Sequence, residues 1–428
     1  MTTQTVTPAA KRPSLAILIA VSAAGPMALN IFIPSMPGMR TVFDADYATI
    51  QLTLTAYIFA IALAQLVLGP LSDRFGRRPV LLAGLGLFVA ASLACALAAS
   101  VEQLIALRVL QATGGCAGLV LGRAIVRDLF DQDTSASMLG YITMAMVLAP
   151  MLAPVLGGFL DDLFGWQAGF VVAAAAGALI LTASWGSLHE TNFDRRPMPG
   201  VGAIARDYAA LLRSPVFVAN ALAGATAVSV FFSFLAGAPY VMVELLGRTP
   251  GEYGLWFMLA AGGYMAGNFL SGRFARRIGT DFLVFAGNGL ALATMLVLCA
   301  VALTGAFSPA AIFAPMFFSG VANGMVIPST LANAVSVRPD MAGAASGFAG
   351  SLHLVMGGIG TVIVGHAQDD SQWPMLLTMS GFAVLAFLSG LWAKRARRSE
   401  AAAPKSPSDA PKTAPTPDQT AGSGDGAP

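Results

Sequence analysis

Long apolar runs separated by short polar stretches set the rhythm of this chain. They occupy 14–36, 48–71, 79–99, 103–122, 136–160 and 165–187 and, after a polar link, 216–238, 254–271, 283–303, 309–330, 343–366 and 373–393. Each is close to the ~20 residues a helix needs to cross a ~30 Å hydrocarbon layer. Backbone amides and carbonyls find no water there, so a helix, which satisfies them within one segment, is the expected form. The pattern predicts an all-α integral membrane protein with twelve transmembrane helices. The first run follows Lys11 and Arg12 like a secretory leader, but it continues to Pro34 and reads as an uncleaved span.

The chain also repeats itself. Leu71-Ser72-Asp73-Arg74-Phe75-Gly76-Arg77-Arg78 returns as Leu270-Ser271-Gly272-Arg273-Phe274-Ala275-Arg276-Arg277 at an offset of 199, and Gly157-Gly158 as Gly357-Gly358 at 200. Each pair falls in equivalent runs of the two halves. This predicts two pseudo-symmetric six-helix bundles, 1–187 and 215–395, related by an axis along the membrane normal. Residues 188–214 then form a cytoplasmic linker, with an amphipathic surface helix expected over Arg206 to Arg213. Residues 396–428 are rich in Ala, Pro, Ser, Thr and Gly, a composition that buries no core and predicts a disordered cytoplasmic tail.

Composition agrees with this pattern. Apolar residues make up 56% and charged residues 11%, with mean hydropathy +0.72, against about 25% charged in soluble domains. A water-soluble core is excluded. The basic residues are sorted by side: with the N-terminus placed in the cytoplasm, cytoplasmic segments carry 19 Lys and Arg and the opposite loops only Arg40 and Arg248. Both termini are therefore expected inside. Cys95, Cys116 and Cys299 fall in apolar runs and read as packing residues. No cofactor, metal or ATP site is expected, because no run holds a phosphate-binding glycine loop with lysine, an H-E-x-x-H pair or clustered acids. No nucleic-acid partner is expected either.

Three stretches carry further information. Gly69-Pro70-Leu71-Ser72-Asp73-Arg74-Phe75-Gly76-Arg77-Arg78 joins spans two and three. There Gly69 would admit a close neighbouring helix, and Asp73 can accept from an arginine or a helix N-terminus. In span four, Gly114, Gly118 and Gly122 form a small-residue stripe with Arg108 and Gln111 on or beside it. In span five, Ala149, Ala153 and Gly157 repeat every four residues, followed by Gly158, with Pro150 and Pro154 expected to kink the helix. The first stretch resembles the loop signature of the major facilitator superfamily, and the span-five stretch its antiporter signature with alanine twice replacing glycine. Together with Asn30-Ile31-Phe32-Ile33-Pro34 and Ala238-Pro239-Tyr240, the chain resembles the bicyclomycin/chloramphenicol-resistance branch of the twelve-helix drug:proton antiporters. The resemblance implies two bundles rocking about a central cavity, with protons entering as a lipophilic or amphiphilic drug leaves, in a monomer of the bacterial inner membrane.

Arg108 is the one Asp, Glu, Lys or Arg inside the runs as drawn. It would cost about 2.5–3.5 kcal/mol on insertion scales, so it is expected to face the interior or a wet cavity and to act with Gln111; the alternative is a structural arginine bonded to backbone carbonyls. Asn30 stands where the family commonly has an acid, and an amide exchanges no proton. His353 lies mid-span in helix eleven, where the family more often has glutamine; it reads equally as a coupling residue and as a packed histidine. Tyr57, Asn323, Met144, Met146, Phe231, Phe232 and Phe234 are candidates for a greasy pocket. Asp73, Arg74 and Arg77 are expected at a cytoplasmic gate. The competing reading is a proton-coupled or facilitated carrier of an endogenous metabolite; an enzyme is not expected.

Overall fold

The computed structural model describes residues 13–193, 200–305, 308–338 and 341–402. Among them fourteen α-helices account for nearly all the chain: α1 Leu15–Ile31, α2 Met39–Phe43, α3 Tyr47–Phe75, α4 Arg77–Ala96, α5 Val101–Leu129, α6 Gln132–Phe164, α7 Gln167–Ser187, α8 Val201–Leu212, α9 Pro215–Tyr240, α10 Pro250–Ile278, α11 Thr280–Leu303, α12 Pro309–Ser336, α13 Ala342–Ala367 and α14 Trp373–Ala402. A 3-10 turn, Ile33–Ser35, ends the first span, and a π turn, Val241–Leu245, extends α9.

Short polar signals set the ends. Asp46 accepts from the Thr49 amide at 3.1 Å to start α3, and Thr249 and Glu252 form a reciprocal capping box on α10. Such caps satisfy amides that the first helical turn leaves free. Gly76, with φ +103°, lets α3 turn directly into α4.

Eleven described helices are long and apolar enough to cross a membrane, so the chain is a multi-pass membrane protein. The twelfth expected span corresponds to α10. Its length of 29 residues suffices, but its glycines, tyrosines, Asn268 and terminal arginines dilute its hydropathy. Packing places it nonetheless: α10 lies on α11 and α12 as α3 lies on α4 and α5. The other neighbour pairs recur likewise. Helix α1 packs on α5, α6 and α7 as α9 packs on α12, α13 and α14, and α4·α7 returns as α11·α14. The most extensive contacts between the groups are α3 with α13 and α6 with α10.

Several boundaries move. Helix α6 runs on to Phe164, taking Asp161 and Asp162, expected just outside the span, into its last turns. Helix α8 starts at Val201, five residues before the expected surface helix, and docks on α9 and α13 with Tyr208 against Phe348 at 5.0 Å. Helix α14 continues to Ala402, into the expected tail; the rest of that segment lies outside the described residues.

Candidate transport pathway

Arg108 is fully buried on α5. Its guanidinium lies over the Tyr57 ring at 4.1 Å, Phe32 at 4.8 Å and Phe170 at 5.7 Å. Nη1 donates to the Ala28 carbonyl at 3.1 Å and to Gln111 Oε1 at 2.6 Å. Gln111 Nε2 donates in turn to Ser92 Oγ at 2.8 Å. Tyr57 is held in place because its hydroxyl donates to the Gly25 carbonyl at 2.9 Å. An aromatic cage and neutral acceptors thus accommodate a cation that hydrocarbon would reject. The expectation that Arg108 lines a cavity is not met in this conformation. Helices α1, α3, α5 and α7 close over it, and its Nε and Nη2 stay buried without partners. Asn30 sits nearby on α1, its Nδ2 donating to the Pro26 carbonyl at 2.8 Å and its Oδ1 buried and unpartnered.

The two helix groups meet along a seal near the end opposite the chain termini. Tyr47 Oη and Gln51 Nε2 of α3 both donate to the Ala236 carbonyl of α9, at 2.9 and 2.7 Å. Thr55 and Thr361 share a hydrogen bond of 2.7 Å, and farther along α3, in the half nearer the termini, Gln65 Nε2 donates to Ser351 Oγ at 2.7 Å. Arg40 pairs with Glu244 at 3.7 Å. On the other flank α6 meets α10 backbone to backbone. A Cβ on Gly158 would overlap the Pro250 carbonyl, and one on Gly157 the Ile31 carbonyl of α1. The antiporter-like stripe is therefore a close-contact face on both sides. Pro150 and Pro154 sit inside a helix that continues through both of them.

Behind this seal lies an apolar cavity of about 210 Å³, bounded by Met146 and Pro150 of α6, Val228, Phe231 and Phe232 of α9, Phe257, Ala261 and Tyr264 of α10, and Asn323 and Ile327 of α12. Four residues expected in the pocket are there. Three are not: Phe234 stacks in the core between Phe257 and Phe313, Tyr57 belongs to the Arg108 cage, and Met144 is exposed. The α10 lining escaped sequence reading, although the aromatic run Tyr253, Trp256 and Phe257 was a signal.

His353 of α13 is 8% exposed and its Nε2 has no partner. It packs on Gly224 of α9 and beside Thr330 of α12, away from Arg108 and one turn from the cavity.

At the opposite end of the helices, Arg77 bridges Asp73 at 2.6 Å and Asp128 at 3.0 Å. Asp73 therefore accepts from an arginine, whereas the α4 N-terminus is capped by Glu190, which sequence reading missed. Its carboxylate accepts from the Arg77 and Arg78 amides at 2.8 and 3.3 Å and from those of Thr191 and Asn192 at 2.9 Å each. Arg78 reaches the Leu188 and Trp185 carbonyls, at 2.7 and 3.0 Å. Arg74 is exposed over the Phe75 ring. Gly69, expected against another helix, is not: a Cβ there would meet no atom within 4 Å.

Comparison with known proteins gives this arrangement its relatives. Residues 18–361 match the Major Facilitator Superfamily model. The chain is 29% identical to a bicyclomycin resistance protein homolog of Haemophilus influenzae, over 85% of this chain and 92% of that one. It is 31% identical to a chloramphenicol resistance protein of Pseudomonas aeruginosa, covering 82% and 83% respectively. Among solved structures, a D-xylose-proton symporter superposes with TM-score 0.70 at 15% identity, covering 89% of this chain and 96% of that one, a likeness of fold. Repeated packing, the Asp73–Arg77–Asp128 network and these relatives agree: the chain belongs to the Major Facilitator Superfamily, in its bicyclomycin/chloramphenicol-resistance branch.

Proposed function

We propose that this protein exports lipophilic or amphiphilic drugs in exchange for protons, by alternating access between 1–187 and 215–395 with 188–214 as their link. The observation that carries the reading is the apolar cavity between α6 and helices α9, α10 and α12, adjoining a seal on one side. An adaptable lining of Met146 and phenylalanines suits drugs of varied shape, while Asn323 and Tyr264 supply the few polar contacts that orient them. Charge placement supports cytoplasmic termini in a bacterial inner membrane; the seal is then external and the state inward-facing. The unit is a monomer with no enzymatic activity, and its other partners are protons and the bilayer. Names of relatives make chloramphenicol and bicyclomycin the first candidate drugs.

A growth-inhibition panel in a pump-deleted host, followed by flux in proteoliposomes, tests this. Resistance to at least one lipophilic drug is expected, with flux that collapses when the pH gradient is removed. Flux of a polar metabolite indifferent to the drugs would instead favour the second reading, a metabolite carrier, which Asn30 in place of an acid supports.

A further inference from the structure

We propose that His353 carries the exchanged proton, an inference that rests on the proton-exchange reading above. Exchange needs a group that binds a proton beside the drug site and releases it at ordinary pH. Arginine does not deprotonate in proteins and asparagine has no proton to exchange, which removes Arg108 and Asn30. Four acids at helix ends are engaged there, Asp73 and Asp128 on Arg77, Glu244 on Arg40 and Asp162 on the Gly251 amide, and Asp161 lies beside Ser35 at the far end of α6.

His353 is placed differently. A Cβ built on Gly224 would lie 2.5 Å from its Nε2 and 2.6 Å from Thr330 Oγ1, so ring nitrogen and hydroxyl flank one point. The Thr330 proton is committed to the Val326 and Ile327 carbonyls at 2.9 and 3.1 Å. Its lone pairs are left to accept from a protonated Nε2. Thr330 stands one turn from Ile327, and Gly224 one turn from Val228, both of which line the cavity. Helix α13 packs on α3, α8, α9, α12 and α14; among the described residues none of these brings a charged side chain against the ring. Glycine at 224 leaves room for the ring, and no neighbouring charge fixes its protonation state.

The step balances simply. With the outer side open, a proton from that side adds to a ring lone pair and neutral imidazole becomes imidazolium. With the inner side open, the proton passes to water and the neutral ring returns. A drug filling the cavity one turn away displaces the water that would stabilise the imidazolium, and a cationic drug also repels it, so drug and proton exclude each other.

The test uses the full-length protein in proteoliposomes with an internal pH dye and chloramphenicol as the probe. A chloramphenicol gradient should drive a pH change through the wild type. His353→Gln should lower that change by about tenfold while drug-for-drug exchange falls by no more than about threefold, separating coupling from binding and folding. An undiminished pH change in His353→Gln overturns the assignment. Should the wild type move no chloramphenicol, the export of this drug fails, and His353 is judged without it. The chain has 3 histidines, and with 13C-labelled histidine in nanodiscs the signal missing from His353→Gln should move with pH somewhere between about pH 3 and 8. A signal unmoved across that interval also overturns the proposal.

Discussion

Asp162 Oδ2 accepts the backbone amide of Gly251 at 3.1 Å, so a carboxylate of α6 caps the first turn of α10 across the boundary between the two helix groups. A negative charge at a helix N-terminus contributes about 0.3–1 kcal/mol at an exposed site. On the alternating-access reading proposed above, this contact breaks when the outer side opens.

Asp162→Ala should therefore shift the conformational equilibrium toward the open outer side by about two- to fivefold, without lowering protein abundance. Spin labels on Leu163 and Arg248, with the native cysteines replaced, would read the shift as a larger population of long distances. An unchanged distance distribution would show that the seal does not depend on this cap.

Replacing Arg108 with Ala leaves Gln111 Oε1 and the Ala28 carbonyl without their donor and empties a cage of three rings. A loss of roughly 3 kcal/mol in stability is expected. It should appear as a lower melting temperature and lower abundance in the membrane. Full transport with normal abundance would remove Arg108 from both structure and mechanism.

Glu190→Gln keeps the shape of the side chain but removes the charge at the α4 N-terminus. It should cost about 1 kcal/mol. Gly76→Ala should cost more, about 1–3 kcal/mol, because the residue has a positive φ and its Cβ would overlap the Glu190 carboxylate. Asp73→Asn should be milder than either, since Asp128 still holds Arg77. Melting curves of the three variants would give that order; transport by Asp73→Asn should fall through a shifted conformational equilibrium rather than through unfolding.

Asp46 gives a pH prediction outside the membrane. A hydrogen bond from the Thr49 side chain, opposed in part by burial, holds its carboxyl below the usual range. Its folded-state value is depressed, so the contribution is present at neutral pH and is lost as pH falls through the carboxylate range. Asp46→Ala should cost about 1 kcal/mol near pH 7. The difference in melting temperature from wild type should shrink toward about pH 3; a difference independent of pH would mean the carboxylate is not the source.

In the cavity, Asn323→Leu and Phe231→Ala should separate orientation from volume. The first removes a polar contact from an apolar lining and should raise the drug concentration for half-maximal flux roughly tenfold for drugs with a hydrogen-bonding group. The second enlarges the cavity and should change which drugs are accepted. Flux assays across several compounds would read both.

Spans, internal repeat and the sorting of charge can be read from the chain alone. Bilayer thickness and the cost of unpaired backbone groups act on each stretch locally, so the runs ending near Pro34 and beginning near Pro215 are legible residue by residue. For Asp73 the sequence left an arginine and a helix N-terminus both open, and the structure selects Arg77, four residues along the chain. It took the packed helices to show that Arg108 is caged by three rings, that Glu190 caps α4 from over a hundred positions away, and that Phe257 and Tyr264 line the cavity while Phe234 does not. Which side of an all-apolar helix faces a neighbour, a pocket or lipid leaves little trace in hydropathy. It is fixed by long-range packing of small residues such as Gly157 and Gly158, and α10, with the weakest apolar signal, is held in place by that packing.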